Sequence, residues 1–224
     1  MIGTTGPMSS SSDTPPERLH TLLREFELCG WRRRIAELYA LVRVAEPLAG
    51  WQQWRSVRDE LFRHHSQSPI LPEQRAKFTG LPYFPYDPSL RFLVEFGEPQ
   101  NRATITMEAG SDGEVRLHPF ARTRGLAPYL GNELTLYWIG GYGGGVFLPF
   151  WDATSGHETF GGGRYLLDTI KGADFGHAPD GRLILDFNFA YNPSCAYADR
   201  WICPLAPAEN RLPNPVRAGE RLPG

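Results

Sequence analysis

The chain has 224 residues, 41% of them hydrophobic and 12% aromatic, with six Trp. That content excludes a disordered or fibrous chain, and a core of this size buries roughly 70% of the surface that the unfolded chain exposes. A formal net charge of -2 and a pI near 6.3 supply no strongly basic face of the kind nucleic acid requires.

The first residues, MIGTTGPMSSSSDTPPE, lack both a basic stretch and an apolar stretch of a secretory signal. They read as a disordered arm over 1–16, and the cytoplasm is the expected compartment. No apolar run approaches the roughly 18 residues that span a bilayer, so no membrane partner is expected. Cys29, Cys195 and Cys203 are an odd set, which argues against a disulfide scaffold.

From Pro16 the pattern turns helical, with Thr14 as the cap and Glu17 in the first turn. Leu19, Leu22, Leu23 and Phe26 make one apolar face, and Gly30 is expected to end or bend the helix. A second helical stretch carries Trp31, Ile35, Leu38, Tyr39 and Val42 on one side. Its Arg32, Arg33 and Arg34 read as a solvated face, with an anionic ligand or a partner surface as the alternative. Pro47 and Gly50 break the pattern. A third helix places Trp51, Trp54, Val57, Leu61 and Phe62 on its buried side, and Arg55, Arg58 and Arg63 among its polar residues. His64 and His65 stand at its end, where the helix dipole favours a cation. A turn and a short helix ending near Phe78 complete the helical part.

Residues 80–88, GLPYFPYDP, form a connector that Tyr83, Phe84 and Tyr86 tie to the body. The period then changes to two. Phe92, Val94 and Phe96 alternate along one strand, Thr104 to Met107 is a second, and Glu114 to His118 follows an Asp112-Gly113 hairpin turn. Further strands are expected at Leu134 to Ile139, Val146 to Phe150, Arg164 to Leu167 and Arg182 to Phe189. Short strands at close spacing, with no helices between them, exclude a doubly wound parallel sheet. The fold class is α+β: N-terminal helices over 17–80, packed on a mostly antiparallel β-barrel or sandwich of seven or eight strands over 81–224, in one compact domain overall. The Pro-rich tail after Cys203 is expected to run extended over the surface.

The glycines of residues 140–147 lack the Lys-Ser/Thr pair and the following helix of a phosphate loop, so they read as a tight turn or bulge. Residues 147–168 hold Asp152, Thr154, His157, Glu158, Arg164 and Asp168. Asp152 and Thr154 fit a local turn whose side-chain oxygens bond backbone N–H groups. Arg164, after three glycines, can take an anionic group bidentately or pair with Asp152, Glu158 or Asp186. In a period-two strand Asp186 and Asn188 share one face; they line a polar cavity or hold the loop of residues 190–204. Cys195 and Cys203 leave four roles open: structural thiols, a disulfide, metal ligands with His157 or His177, or a nucleophilic thiolate served by His157.

The runs WRSVRDELFRHHSQSPI, FTGLPYFPYDPSLRF, LPFWDATSGHETFGGGRYLLD and LDFNFAYNPSCAYADRWICPLAPAENRLPNPVRAGE together resemble the DUF1684 family, an uncharacterised group of bacteria and archaea, over roughly residues 50 to 220. One block of the resemblance falls on Trp151, Asp152, Thr154, Gly156, Thr159, Gly161, Gly163, Arg164 and Tyr165. Phe160 stands where the group often has Tyr, so no role needing that hydroxyl carries over. The second block falls on Asp186, Phe187, Asn188, Ala190, Tyr191, Asn192, Pro193, Cys195, Tyr197, Cys203 and Pro204. The resemblance implies membership and no reaction.

Two functions compete, with a third behind them. The first is a small-molecule-binding barrel whose ligand sits between blocks 147–168 and 183–203. Asp152, His157, Glu158 and Asp186 would then supply hydrolase or isomerase chemistry. Arg164, Tyr165, Asn188, Asn192 and Tyr197 would bind the ligand, an anionic one suiting Arg164. The second is a non-catalytic structural or interaction module, with the Trp-rich helix and the Arg32–Arg34 run as a partner or self-association surface. The third is a metalloprotein built on the late cysteines. The sequence names no cofactor.

Overall fold

The computed structural model describes residues 15–108 and 113–223, with side chains described from residue 23 and the exception of the same internal gap. The arm expected over 1–16 lies outside these residues except for Pro15 and Pro16, which already belong to a helix. Thr14, expected as a cap, and Asp112 of the expected hairpin turn also lie outside.

Helix α1 runs unbroken over Pro15–Val42. Gly30 neither ends nor bends it into two, because one interior glycine costs only about 1 kcal/mol, which packing can outweigh. The apolar face expected at Leu23 and Phe26 is exposed at 52% and 76%. Contact with the core begins later, at the partly buried Trp31, and continues through Ile35, Leu38, Tyr39 and Val42. Helix α2 covers Pro47–His64, and Glu46 caps it by accepting the N–H groups of Leu48 and Ala49 at 3.1 and 3.2 Å. Pro47 thus starts this helix, as its fixed φ allows in a first turn, and Gly50 lies inside it. The buried face is Trp51, Trp54, Arg58, Leu61 and Phe62. Arg58, expected on the polar side, is only 6% exposed. Short helix α3, Pro72–Arg75, follows. Among the described residues no helix is long and apolar enough to cross a membrane.

Seven strands follow: β1 Arg91–Gly97, β2 Ile105–Glu108, β3 Glu114–Arg124, β4 Thr135–Ile139, β5 Gly145–Phe150, β6 Arg164–Asp168 and β7 Leu183–Asp186, with the one-turn helix α4, Ala127–Leu130, between β3 and β4. Every pairing is antiparallel, in the order β6-β5-β4-β3-β1-β7, with β2 beside β3. The open ends nearly meet. Tyr165 on β6 exchanges both backbone hydrogen bonds with Tyr191, just beyond β7, at 2.8 and 3.0 Å. The result is a nearly closed antiparallel barrel capped by helices. The glycines after β4 form the β4–β5 hairpin turn.

Strand β7 ends at Asp186, three residues before the expected Phe189, because Phe187–Phe189 tighten into a 3₁₀ turn. Asp186 caps that turn by accepting the Asn188 N–H at 3.1 Å. The helices dock here. Trp51 Nε1 donates to the Asn188 carbonyl at 3.0 Å, and the ring of Trp54 meets that of Phe189 at 5.2 Å. Tyr83 and Tyr86 of the connector pack on Trp54 and Trp51, as expected of them.

The tail differs most from expectation. Leu212, Val216, Ala218 and Glu220 are fully buried rather than laid over the surface. The tail threads between the barrel and the connector: Phe84 N–H donates to the Gly219 carbonyl at 3.0 Å, and Glu220 N–H to the Ala190 carbonyl at 2.8 Å. Gly219 has φ +75°, and a Cβ there would strike the Ala190 carbonyl, so both its backbone and its size require glycine. The Glu220 carboxylate accepts Arg58 through Nε at 3.1 Å and through Nη2, the Asn192 N–H at 2.7 Å and the Tyr197 hydroxyl at 2.7 Å.

Removing one partner of such a pair strands the other as a buried charge, at a cost of about 3–5 kcal/mol. Glu220→Ala should therefore lower the stability measured by urea unfolding by that amount. The double change Arg58→Met with Glu220→Met should cost less than Glu220→Ala alone. A double variant no better than the single one would remove the ion pair from its central place.

Candidate functional site

The block of residues 147–168 leaves β5, makes a compact turn and returns as β6. Asp152, 2% exposed, accepts the Thr154 hydroxyl at 2.9 and 3.0 Å, the Ser155 hydroxyl at 3.4 Å and the Val216 N–H of the tail. Arg164 Nη2 lies 3.6 Å from it, the pairing that was one of the two expectations for this arginine. The guanidinium, 1% exposed, also donates to the carbonyls of Val216 at 2.8 Å, Ala218 and Glu220 at 3.1 Å. Gly163, at φ +86°, brings the chain against the Phe150 carbonyl just before this arginine. Together Asp152 and Arg164 hold an irregular, buried tail whose β-pairing with its neighbours is limited to isolated bridges at Trp151–Arg211 and Tyr83–Glu220. The carboxylate bonds to its own turn and to the tail, and the guanidinium to the tail carbonyls.

His157 and Glu158 stand elsewhere, on the outer side of the same turn. His157 is exposed, and Glu158 pairs with Arg217, whose Nε lies 3.0 and 3.1 Å from its oxygens. Hydrogen bonding from Arg217 holds the Glu158 carboxyl below its usual range. Asp186 and Asn188 form a third cluster. Asn188 Nδ2 donates to the Asp87 carbonyl and its Oδ1 accepts the Asp87 N–H, both at 2.8 Å. They anchor the 80–88 connector, not the 190–204 loop. The four residues expected to carry acid–base chemistry are thus distributed over three places.

A cleft of about 670 Å³ opens instead where α1 crosses the barrel near the β6–β7 closure. Tyr165 and Asn192, both expected as ligand residues, line it, whereas Tyr197 is not among its lining residues and donates to Glu220. Asn192 is 4% exposed. Its Nδ2 donates to the Arg221 carbonyl at 2.8 Å, but among the described residues its Oδ1 has no partner. Lys171, half exposed, reaches 3.0 Å from the buried carboxylate of Asp168, which holds its ammonium above the ordinary lysine range. Cys203 lines the same wall, and all three cysteines are free thiols. Across from this wall, α1 contributes Trp31 and Arg32, and the 198–202 loop contributes Arg200 and Trp201. Among the described residues no three His, Cys, Asp or Glu side chains gather as a metal site would need.

Lys171, Arg58 and Glu220 escaped the sequence reading. Only Arg58 carried a signal, since it follows Trp54 by four positions and so falls on the buried helix face.

Two substitutions check the roles assigned to the buried polar groups. Arg164→Ala should cost about 3–5 kcal/mol and open residues 212–221 to proteolysis under native conditions, whereas Glu158→Ala, which breaks an exposed pair, should leave stability and protease resistance nearly unchanged. Equal losses would refute the tail-latch role. For Asp186, burial pushes the carboxyl up to about 6, against the hydrogen bonds from Asn188. The folded chain therefore holds a proton that the unfolded chain releases near pH 4. The stability so gained is full below about pH 4 and lost as pH rises through about 6. Asp186→Asn keeps an acceptor for Asn188 and cannot ionise. Its stability relative to the parent should rise by roughly 2 kcal/mol between pH 4 and pH 7, and a flat difference would contradict the assignment.

Comparison with known proteins places this architecture. The family described as protein of unknown function (DUF1684) matches residues 76–221. Among solved structures, an uncharacterised protein of Haloarcula marismortui, determined in solution by NMR, is 33% identical. The match covers 76% of this chain and 91% of that one, with a TM-score of 0.50. No curated protein matches. With the family profile spanning β1 to the buried tail, the chain belongs to the DUF1684 family.

Proposed function

We propose that the protein binds a small organic anion with an aromatic or apolar portion in the cleft between α1 and the barrel. The observation that carries this reading is the unpartnered, buried Oδ1 of Asn192 beneath a mouth set with cations. Arg58 and Lys171 already have carboxylate partners in Glu220 and Asp168. Arg32 and Arg200 have no carboxylate within salt-bridge distance among the described residues, and Arg200 lies 4.9 Å from the centre of the Trp201 ring. Trp31, Tyr165 and Tyr191 supply ring surface in the same cleft. Such a site suits a ligand with one donor for Asn192, a flat or apolar body and a negative group at the mouth. The volume is that of a drug-sized molecule or smaller. The reading is one of binding and does not draw on Asp152, His157, Glu158 or Asp186.

The anionic aromatic dye 8-anilinonaphthalene-1-sulfonate tests the cleft directly. Its fluorescence should rise on titration into the native chain with one saturable site. The double change Arg32→Ala with Arg200→Ala should weaken that site about tenfold in Kd, close to 1.4 kcal/mol, with no change in thermal midpoint. Undiminished binding by a folded double variant would refute the reading.

A further inference from the structure

Helix α1 has a second stripe, on the side turned away from the core. Leu23, Phe26, Arg33, Glu37, Ala40 and Val44, with Gly30 between Phe26 and Arg33, recur at alternating intervals of three and four. That is the spacing of the contact positions in a pair of coiled helices. All except the half-buried Gly30 are exposed, Phe26 at 76% and Val44 at 84%. Val44 stands just past the last helical residue but still on the helical path. The Arg43 N–H donates to the Tyr39 carbonyl at 3.0 Å and the Ala45 N–H to the Leu41 carbonyl at 3.1 Å, both four residues back. The core and the cleft take the opposite side of the helix, through Trp31, Ile35, Leu38, Tyr39 and Val42. Single apolar side chains scattered on a surface are ordinary. Apolar side chains at both ends of one regular stripe, with nothing of their own chain upon them, mark a contact face.

The stripe is its own complement. Arg33 and Glu37 lie two positions either side of Ile35, Gly30 and Ala40 five, and Phe26 and Val44 nine. Two copies laid antiparallel about a twofold axis midway between Arg33 and Glu37 therefore repeat every contact twice. Arg33 of one copy meets Glu37 of the other, Gly30 meets Ala40, and Phe26 meets Val44. Opposite charges face each other, small residues face small ones where the axes must come close, and apolar ends face apolar ends. A parallel pairing would set Arg33 on Arg33 and Glu37 on Glu37, so the charges select the antiparallel arrangement. Within its own chain Arg33 has no carboxylate within salt-bridge distance among the described residues, while the adjacent Arg34 reaches Glu60 at 3.7 Å and Glu37 at 4.0 Å.

We propose that the protein associates with a second copy of itself, as an antiparallel homodimer, through this outer stripe of α1. From Leu23 to Val44 the stripe is about 30 Å long at the rise of an α-helix. One helix face buries less than the roughly 800 Å² per partner of a standard interface. The dimer is accordingly a concentration-dependent one, in the micromolar range. Trp31 and Arg32 stay on the cleft side, so both clefts remain open in the dimer and the association does not depend on what they bind.

Sedimentation velocity on the full chain tests this, across roughly 1–500 µM, the range that an interface below the standard size calls for. Reducing conditions keep the exposed Cys29 from linking two chains. The unaltered chain should pass from monomer to dimer. Phe26→Glu and, separately, Val44→Glu should remain monomeric throughout. Arg33→Glu alone and Glu37→Arg alone should each raise the dimer Kd roughly tenfold or more, because each sets like charges together twice. Mixing these two charge variants should restore a dimer at the parent concentration, since every reversed charge then meets an opposite one. Rescue on mixing separates a contact between chains from any effect of the same charges within one helix. All four positions are exposed, so thermal midpoints should match that of the parent and certify folded variants. A chain monomeric at every concentration would leave the stripe to a different partner and overturn the proposal. A dimer indifferent to Phe26→Glu, or charge variants that fail to pair when mixed, would overturn it as well.

Discussion

The buried carboxylate of Glu220 is the point on which the rest of the molecule closes. Both oxygens are occupied by donors from distant parts of the chain: Arg58 on α2, the backbone of Asn192 past β7, and the Tyr197 hydroxyl. Burying two charges costs more than their attraction returns unless the remaining lone pairs and N–H groups are also satisfied. Here the carboxylate is satisfied, and Arg58 lies among the rings of Trp54, Phe62 and Tyr191 at 4.8, 5.3 and 5.0 Å. Burial by itself would weaken the charge of Arg58, yet Glu220 together with Tyr83 and Tyr197 outweighs it, and the guanidinium stands well above its ordinary pKa. One ion pair thereby joins the helical layer, the barrel closure and the tail.

The second half of that arrangement is Arg164. A tail that runs through a core without joining a sheet leaves its carbonyls in need of donors. Arg164 supplies them at Val216, Ala218 and Glu220, and Asp152 takes the Val216 N–H. The same two residues looked in the sequence like chemistry, because a carboxylate, an arginine and three glycines in one short stretch suit a ligand site. They equally suit the replacement of a missing β-strand by side chains. Only the position of residues 216–220, some fifty positions later, distinguishes the two.

What could be read from sequence was the part governed by a regular period. Alternation gave the strands, and the exchange of a 3.6 for a 2.0 period gave the division between helices and barrel. The barrel closure through Tyr165 and Tyr191 has no such signature, since it depends on a single bridge between residues on separate segments. The tail is opaque for a related reason. Its buried residues, Leu212, Val216, Ala218 and Glu220, do fall two or four positions apart, but Pro213 and Pro215 break the stretch and a charged Glu220 ends it, so the alternation does not stand out as a strand. Arg58 shows the opposite failure. Its position marked it as buried, four residues after Trp54 and three before Leu61, while its residue type argued for the surface. On a helix face fixed by large apolar neighbours, position was the stronger signal, because the side chain's partner lay outside the local sequence.

The cleft extends the same lesson to function. Its polar groups come from separate elements: Arg32 from α1, Lys171 after β6, Asn192 after β7 and Arg200 from the loop beyond. No local pattern could gather them. The family match begins at residue 76, so Asp168, Lys171, Asn192, Cys203 and Glu220 lie inside it, while Trp31, Arg32 and Arg58 lie before it. One wall of the cleft is thus built by the family-matched barrel and the facing wall by the helices that precede it. Glu220 needs Arg58 to be buried at acceptable cost, so those helices do more than cover an already complete barrel. A change in α1, which leaves Arg58 on α2 untouched, would alter the charge and shape of the mouth while leaving Asn192 in place. On the proposed binding reading, ligand preference would fall to Arg32 and Trp31, while Arg58 and Trp54 of the same helical layer hold it to the tail and the barrel closure.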